Sequence, residues 1–486
     1  MDGKNIRIKL LEEKPAQADV RSIFVHVLEM VLPEAALRRY VSLNNTTNIL
    51  TVAGRKYNLN KYERIIVVGG GKAARRTGAE LVNILGDKIT AGILNVYQDQ
   101  AKEPISDRIK IFAADHPTPN EEGLKGAQQM IELLKKADAK TLVIALISGG
   151  GSSLMAIPAG DISIEDYQNI SKLLMTIPAT IDQINTVRKH IDLLKGGRMR
   201  KYAVQAGGFI SLVLSDVPVT KTGIVDDTSV ISSGPTVGDN STFQMAKQVL
   251  SDFKIWEKAP KAVREYIQTN IGKKDNETLA KNSPLLTNER NQYVIIANND
   301  QAMEAAGQKA QELGYKINLI GWKTGSTAGK IKAEVREEIE NIFKVITPHI
   351  SNTDRITFAS FSTDGVDGHS DLAGAMTDTD TLKLADIHGL NYRDYLESYD
   401  SATFFKKLGL GIETGPTGTN VADVTLVLIN NPDNPQRKAA FIFGGEATVN
   451  IYLPAGKKPG FGGRNTHLVL LATEKLGQLA GRNPQP

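Results

Sequence analysis

Arg64 to Ala74 read RIIVVGGGKAA, a continuous apolar run that ends in three glycines and a lysine. An uninterrupted apolar strand is typical of a parallel sheet that is covered on both faces. The glycines let the chain turn tightly into the helix that follows, and the N–H groups of such a turn favour an anion. Lys72 places positive charge where the helix dipole disfavours it, which indicates that a negative ligand binds there.

Further apolar segments alternate with helical ones along the chain. The predicted strands lie at 91–96, 109–113, 141–146 and 209–214, and a helix is predicted at 121–136. This βαβ rhythm is typical of a doubly wound sheet. After a polar, lysine-rich segment the alternation resumes with a strand at 293–297. We therefore expect an α/β protein with a Rossmann-like domain over 1–285 and a smaller α/β domain over 290–486.

The composition indicates a globular protein with more than one core, because 41% of its 486 residues are hydrophobic and 23% charged. The net charge of +4 is spread without blocks, which argues against a nucleic-acid surface. The absence of cysteine excludes disulfides and thiolate chemistry. No apolar run is long enough for a membrane span and the first residues are not signal-like, so we expect a cytoplasmic protein without a membrane partner. A homodimer remains open.

A second glycine-rich loop follows the predicted strand at 141–146. Its residues are Ser148, Gly149, Gly150, Gly151, Ser152 and Ser153. The glycines allow close approach of a ligand to the backbone, and the hydroxyls can donate to phosphoryl oxygens. Open α/β sheets bind ligands at the carboxyl ends of their strands, so this position favours a phosphate site over a plain turn.

The first glycine turn also matches the dinucleotide pattern G-x-G-x-x-A, with Gly70 and Gly71 inside it. The acidic residue expected about 20 positions later is not clearly present, since Asp99 comes some ten residues late. A lysine in the turn suits contact with a transferring phosphate better than contact with a nicotinamide pyrophosphate. A solvated lysine at a helix start remains the alternative.

Asp216 ends another predicted strand, where it can hold Mg²⁺, accept a proton from a hydroxyl, or cap a turn. Arg188 and Lys189 belong to a basic cluster that either faces an anion or forms a solvated helix face. Asp364 lies in STDGVDG, which resembles half of a calcium loop but has Ala375 in place of the final glutamate, so a turn or a Mg²⁺-linked role is expected instead.

Three further candidates lie toward the C-terminal part. Asn420 closes the hydroxyl–glycine loop TGPTGTN, which lacks apolar residues and is unusual for a simple connector. Glu446 lies in an alternating segment that predicts a half-buried strand. That segment leads to GFGGRN, where Arg464 follows a glycine turn as Lys72 does. A site that holds phosphate or carboxylate from two sides would explain both cations.

Together these motifs resemble those of the glycerate 2-kinases, which combine a Rossmann-like N-terminal domain with a MOFRL-type C-terminal domain. In the first domain the matching stretches are GGGKAA at 69–74, DHP at 115–117, SGGGSSL at 148–154, NTVRKH at 185–190, KGG at 195–197, SDV at 215–217 and SSGPTVGD at 232–239. In the second they are TDGVDG at 363–368, TGPTGTNVAD at 414–423, GGEATV at 444–449 and GGRN at 462–465.

The resemblance implies phosphorylation of D-glycerate at its 2-hydroxyl by ATP with Mg²⁺, and makes Lys72 and Arg464 the principal catalytic cations. We expect nucleotide phosphates on the 148–153 loop beside Gly70 and Gly71. We expect Lys72 and Arg464 to meet in a cleft between the domains, and Asp216 to hold Mg²⁺ or orient the hydroxyl. Supporting or substrate contacts are expected from Arg188, Lys189, Glu446, Asp364 and Asn420. The alternatives are an NAD(P)H-dependent hydroxypyruvate reductase and a non-catalytic nucleotide-binding regulator.

The order of motifs in the second domain differs from that of the family. The GGE and GGRN motifs come last here, whereas the family places them before the TDG strand, so the domain resembles a circular permutant. Because the segment 430–437 is short, it predicts that 424–429 and 439–443 are neighbours in one sheet, with the loop exposed. The helix after Arg464 should pack on its own domain through Leu468, Leu470 and Leu471, with Arg464 itself turned toward Lys72.

Overall fold

A computed structural model of the chain describes residues 15–217, 228–321, 334–351, 353–446, 449, 451 and 458–479. They form two compact units. The N-terminal unit comprises residues 33–217 and 228–296. The C-terminal unit comprises residues 15–32 and the described residues from 297 onward.

The strands are β1 (Val41–Asn44), β2 (Ile49–Val52), β3 (Arg55–Asn58), β4 (Arg64–Gly70), β5 (Ala91–Tyr97), β6 (Ile109–Ala114), β7 (Thr141–Ser148), β8 (Gly208–Leu214), β9 (Asn291–Ala297), β10 (Lys316–Gly321), β11 (Arg355–Ser362), β12 (Gly374–Asp378), β13 (Gly411–Ile412), β14 (Asp423–Asn430) and β15 (Lys438–Gly445). The helices are α1 (Pro15–Val31), α2 (Pro33–Tyr40), α3 (Ala74–Leu85), α4 (Glu121–Lys135), α5 (Gly151–Leu154), α6 (Ile164–Met175), α7 (Ile181–His190), α8 (Arg198–Tyr202), α9 (Phe243–Asp252), α10 (Lys261–Asn270), α11 (Pro284–Thr287), α12 (Asn299–Glu312), α13 (Val335–Ile346), α14 (Thr381–Ile387), α15 (Tyr392–Glu397), α16 (Ser401–Leu408) and α17 (Arg464–Leu479).

The N-terminal unit contains a sheet in the order β6-β5-β4-β7-β8-β9. Numbered within this sheet, the order is 3-2-1-4-5-6, the order of the doubly wound dinucleotide-binding fold. The pairs from β6 to β8 are all parallel. Every residue of β7 is buried, as expected for a strand covered on both faces. The predicted α/β class and the strands of this sheet are confirmed.

This strand order determines where a ligand site forms. The order in which strands are added reverses between β4 and β7, and ligands of open α/β sheets bind beside the carboxyl ends of the strands at such a switch point. The first glycine turn follows β4, and the 148–153 loop begins at the end of β7. Both glycine-rich loops therefore lie at the position that the topology favours.

The C-terminal unit has a mixed sheet in the order β10-β15-β14-β11-β12-β13. β14 and β15 form an antiparallel hairpin, and β15 pairs with β10 in parallel. The predicted neighbourhood of these two strands is confirmed, and residues 432–437 of the connecting loop are exposed. Leu468, Leu470 and Leu471 of α17 are buried, as predicted. Among the described residues, no helix combines the length and apolar character of a membrane span.

Two elements differ from the domain bounds expected from the sequence. β9, expected to open the second domain, is instead the sixth strand of the sheet that contains β4 and β7. α1, expected in the first domain, packs in the C-terminal unit, where Phe24 lies 4.0 Å from Phe361 between ring centroids. The Tyr315 hydroxyl donates to Asp19 at 2.8 Å in the same unit. These partners of α1 lie 296 or more residues later in the chain, and a separation of this length hides the packing from local sequence patterns.

Candidate functional site

The first glycine turn and the 148–153 loop contact each other directly. The Lys72 N–H donates to the Gly149 carbonyl at 2.9 Å, and the Ala73 N–H donates to the Ser148 hydroxyl at 3.0 Å. The Asp216 carboxylate lies so close to Gly149 that a Cβ there would overlap it. The structure therefore brings Lys72, the loop and Asp216 together at the end of three adjacent strands.

The glycines of the first turn are required by protein packing. Gly69 and Gly71 have φ values of 147° and 138°. A Cβ on Gly69 would lie 1.9 Å from the Leu146 carbonyl oxygen, and one on Gly71 would lie 2.2 Å from the Ser148 hydroxyl. Gly70 likewise packs against the Met155 side chain. The N–H groups of Gly71 and Lys72 already donate to the carbonyls of Asn95 and Gly149, and the cofactor contact expected from Gly70 and Gly71 stays a prediction.

The 148–153 loop presents its backbone. The N–H groups of Gly150, Gly151 and Ser152 donate to no residue that the structure describes. The serine hydroxyls, in contrast, are used within the protein: Ser152 bonds to Ser233 at 2.7 Å, and Ser153 donates to the Pro117 carbonyl at 2.8 Å. Three consecutive unpaired N–H groups form a concave anion site, whereas the hydroxyl contacts expected from the sequence are already satisfied.

The basic cluster of α7 is largely neutralised. Lys189 forms a buried ion pair with Asp239 at 2.8 Å, so it is unavailable to the substrate for which it was expected. His190 contacts Glu277 at 3.0 Å. Lys195, a few residues further on, pairs with Asp192 in the core. The carboxylates that neutralise the cluster are scattered over 85 residues of sequence, which explains why the pattern alone did not reveal them.

Arg188 is the exception in this cluster. Its guanidinium has no ion pair with any described residue, and its burial lowers the pKa of the group. The Lys72 ammonium likewise has no carboxylate partner among the described residues. An unpaired arginine in a partly buried position is unfavourable unless a ligand completes it. Two such cations in one unit indicate an anionic ligand.

The His116 ring lies close enough to both cations to be affected by their charges. A Cβ on Gly150 would be 3.3 Å both from the His116 ring and from the Lys72 side chain. Burial, together with the charges of Lys72 and Arg188, lowers the pKa of His116 to about 4. The imidazole is therefore neutral near pH 7, and the positive charge of the site comes from Lys72 and Arg188. His116 belongs to the motif DHP, but the sequence around this motif did not indicate that Lys72 and Arg188 lie nearby.

Arg464 in the C-terminal unit has different surroundings. Its Nε and Nη2 form a bidentate pair with Asp423, and Nη2 also contacts Glu446 at 3.0 Å. Two carboxylates of the same unit therefore hold the guanidinium, and the expected orientation of Arg464 toward Lys72 stays a prediction. Nη1 donates to no described residue. The arrangement fixes the orientation of Arg464 and leaves one nitrogen for a ligand.

A further buried carboxyl, that of Glu338, lies beside the Arg464–Asp423 pair. Burial raises the pKa of Glu338 to about 8, with a further contribution from Asp423. Burial also raises the pKa of Asp423 to about 6 in spite of Arg464. Arg464 thus lies near the carboxyl groups of Asp423, Glu446 and Glu338. Because its pKa is raised, Glu338 keeps its proton near neutral pH.

Asp364 and Asn420 act locally. The Asp364 carboxylate accepts from the Ser362 hydroxyl at 2.9 Å and from the Val366 N–H at 3.0 Å. The Asn420 side chain accepts from the Ala422 N–H at 3.0 Å. Both close turns, as Asx residues commonly do. Their expected contact with substrate stays a prediction.

Sequence reasoning missed the role of Asp367. Its buried carboxylate accepts from the N–H groups of Asn465 at 2.9 Å and Thr466 at 2.7 Å. N–H groups in the first turn of a helix have no partner within the helix, so the Asp367 carboxylate caps α17, which begins at Arg464. The second DG pair of TDGVDG was the available signal, because an aspartate beside glycine commonly caps backbone groups.

Two family profiles match the chain. One is described as a domain of unknown function, DUF4147, and covers residues 19–268. The other is the MOFRL family and covers residues 337–423, which ends before the GGE and GGRN motifs.

Similar proteins come from several organisms. A glycerate 2-kinase of Pyrococcus horikoshii is 31% identical, over 85% of this chain and 98% of its own. A relative from Agrobacterium vitis, 31% identical over 75% of this chain and 99% of its own, carries the provisional name of a hydroxypyruvate reductase. The crystal structure of a glycerate kinase from Thermotoga maritima gives a TM-score of 0.69 at 27% identity, over 84% of this chain and 98% of that one.

Proposed function

Because the chain belongs to the glycerate 2-kinase family, we propose that it transfers the γ-phosphoryl group of ATP to the 2-hydroxyl of D-glycerate, giving 2-phosphoglycerate and ADP. The observation that carries the proposal is the pair of cations, Lys72 and Arg188, that have no carboxylate partner among the described residues, together with the N–H groups of the 148–153 loop that donate to no described residue. Both reactants are anions, and both need positive charge that the protein has not already neutralised.

Phosphoryl transfer requires alignment of the reactants and neutralisation of the charge on the transferring group. We assign the nucleotide phosphates to the N–H groups of Gly150, Gly151 and Ser152. Lys72 neutralises the transferring phosphoryl group as a point charge. Arg188 holds the glycerate carboxylate, because a guanidinium matches a carboxylate with two parallel hydrogen bonds. His116 is neutral and supplies a hydrogen bond without adding charge.

Arg464 remains a proposed catalytic cation of the family reaction. Asp423 and Glu446 are positioning residues in this proposal, because they fix the guanidinium while Nη1 stays open to a ligand. Their negative charge also weakens the attraction of Arg464 for an anion relative to that of Lys72.

Asp216 fits the Mg²⁺ that the family reaction implies. Mg²⁺ is commonly held by one or two carboxylates together with substrate phosphates and water. The described residues contain no cluster of three or more ligating side chains, and the Asp216 carboxylate lies against the loop that we assign to phosphate. When bound, the ion would neutralise phosphate charge. We also predict that ATP is the phosphoryl donor, that the protein is cytoplasmic and that it forms a homodimer.

The decisive experiment incubates the protein with ATP, Mg²⁺ and D-glycerate and identifies the product by ³¹P NMR. Formation of 2-phosphoglycerate supports the proposal, whereas 3-phosphoglycerate would require a different orientation of the acceptor. L-Glycerate serves as the matched control substrate. Binding of ATP without any product would instead support the regulator.

The name of the Agrobacterium relative favours a second candidate, the hydroxypyruvate reductase. The N–H groups of Gly71, Lys72 and Ala73 all donate to acceptors within the protein, which speaks against a nicotinamide pyrophosphate in that turn. Oxidation of NADH or NADPH by the pure protein with hydroxypyruvate, in the absence of ATP, would establish the reductase and remove the kinase proposal.

A further inference from the structure

A strained turn in the N-terminal unit lies against the 148–153 loop. Its residues Ser232, Ser233 and Gly234 have φ values of 51°, 60° and 61°, which are three successive left-handed conformations. Only glycine adopts this conformation without cost, so two serines in succession are unusual. Both serines are buried. Backbone strain of this kind persists where the surroundings fix it, and it is found preferentially at functional sites.

Hydrogen bonds hold this turn from two sides. On one side, the Ser232 hydroxyl donates to the Ser148 carbonyl at 2.7 Å. On the other side, the Gly197 N–H donates to the Gly234 carbonyl at 2.8 Å. The turn is therefore fixed between the end of β7 and the segment that follows α7.

A chain of three side chains passes through the turn. The Ser233 hydroxyl donates to Asn185 Oδ1 at 3.0 Å, and its oxygen lies 2.7 Å from Ser152 Oγ. A hydroxyl has one proton to donate, so Ser152 is the donor in the second bond. Ser233 is 0% exposed and Asn185 is 3% exposed, so water does not compete for these bonds. We call Ser152, Ser233 and Asn185 the serine–asparagine chain.

This chain connects the 148–153 loop to α7, the helix that also carries Arg188. Asn185 and Arg188 are three positions apart, which places them on neighbouring positions of one helix face. In the proposed function the loop holds the nucleotide phosphates and Arg188 holds the glycerate carboxylate. The chain therefore links the two elements that carry the reactants, and all of its members belong to the N-terminal unit.

We infer that Ser233 and Asn185 are positioning residues, which set the distance between the transferring phosphoryl group and the acceptor hydroxyl. They act through the 148–153 loop and α7. The inference rests on the proposed function. Because phosphoryl transfer depends on alignment, a displacement of about 1 Å can lower the rate by about 100-fold without weakening the binding of either reactant.

Two substitutions of Ser233 separate this role from a contribution to stability. Ser233→Ala and Ser233→Gly both remove the hydroxyl and should lower kcat by about 10- to 100-fold, with KM for ATP and for D-glycerate near the wild-type values. Ser233→Ala should melt at the lower temperature, since alanine keeps the left-handed strain that glycine relieves. Steady-state kinetics and thermal melts measure both. Activity that followed stability, with Ser233→Gly close to the wild type, would overturn the inference.

Lys254→Gly is the matched control. Lys254 is an exposed residue of the same unit with φ of 57°, so its replacement relieves the same backbone strain outside the turn. It should leave kcat unchanged.

Asn185→Ala tests the other end of the chain. It should lower kcat to a similar extent as Ser233→Gly. The double variant should be no slower than the slower single variant, because one broken bond already disconnects the chain. Losses that multiplied in the double variant would show independent roles and contradict the inference.

Hydrogen exchange gives a measurement that does not depend on turnover. Saturating inorganic tripolyphosphate, as a ligand of the 148–153 loop, should slow exchange of the α7 amides in the wild type and in Lys254→Gly, but not in Ser233→Gly. Equal slowing in Ser233→Gly, or no slowing in the wild type, would show that the loop and α7 are not linked through Ser233.

Failure of this inference is distinct from failure of the proposed function. Normal kcat in the Ser233 variants of a protein that forms 2-phosphoglycerate would reject the positioning role and keep the kinase. If the wild type forms no phosphoglycerate, the kinase fails, and the exchange measurement alone decides whether the chain links the loop to α7.

Discussion

The two glycine turns that carry cations look alike in sequence and differ in their electrostatic surroundings. Lys72 follows GGG and has no carboxylate partner among the described residues, whereas Arg464 follows GG and is held by Asp423 and Glu446. Positive charge next to exposed N–H groups attracts an anion strongly. The same charge beside two carboxylates is oriented but largely neutralised. A glycine–cation motif therefore predicts a turn, while the counterions around the cation decide what the turn can bind.

We expect the largest effect from replacement of Lys72, the cation that has no carboxylate partner among the described residues. Lys72→Ala should lower kcat by about 100-fold or more, because it removes charge that stabilises the transition state, with a smaller effect on ATP binding. Steady-state kinetics with D-glycerate measure this, and Lys110→Ala, an exposed lysine of the same sheet, is the control. Near-normal turnover would leave Lys72 as a solvated lysine.

Substitutions of two adjacent cations, Arg188 and Lys189, should have different effects because only Lys189 is paired with a carboxylate. Arg188→Ala should raise the KM for glycerate by about 10- to 100-fold, the effect of losing a charged hydrogen bond, with little change in stability. Lys189→Ala should instead destabilise the fold by about 3–5 kcal/mol, because Asp239 is left buried and unpaired. Thermal melts and glycerate titrations on both variants separate the effects. The reverse pattern would exchange the two roles.

The carboxyls around Arg464 should give the C-terminal unit its own pH dependence. The pKa of Glu338 is raised from 4.5 to about 8, so the folded state binds this proton more strongly than the unfolded state. The stabilisation is complete below pH 4.5 and is lost as pH rises through about 8. Glu338→Gln should reduce this loss by on the order of 1–3 kcal/mol between pH 5 and 8. Urea unfolding at both pH values measures it, with Glu337→Gln on the same helix as control. Equal slopes for the wild type and Glu338→Gln would rule out a raised pKa.

The smallest effect is expected in the hairpin between β14 and β15. Two glycines inserted between Asp433 and Asn434 should change the free energy of unfolding by less than about 0.5 kcal/mol, since this loop is exposed and closure entropy grows slowly. The same insertion between Leu426 and Val427 should prevent folding, because it displaces a buried strand from its register. A loop insertion that abolished activity would show that the hairpin contributes to the site.

The sequence predicted the features that depend on local pattern. Apolar strands, glycine loops and the short hairpin appear where the sequence indicated, because period and turn chemistry act over a few residues. The domain bounds failed at α1 and β9, whose partners lie far along the chain. The proximity of Lys72, the 148–153 loop and Asp216 could be predicted from the sequence, because parallel strands end at one edge of a sheet. The pairing of Lys189 with Asp239 and of Arg464 with Asp423 depends on tertiary contacts 50 and 41 residues apart in sequence.

The packing of α1 makes the C-terminal unit discontinuous in the chain. Residues 15–31 come early in synthesis, yet their partners in β11 and α12 follow only after the whole N-terminal unit. β10 likewise pairs with β15, a parallel neighbour that is synthesised more than 110 residues later. The N-terminal sheet can therefore complete its core while α1 still exposes Val20, Phe24 and Val27. Folding on the ribosome then proceeds from the middle of the sequence outward, and the early helix carries an uncovered apolar face until the last strand arrives.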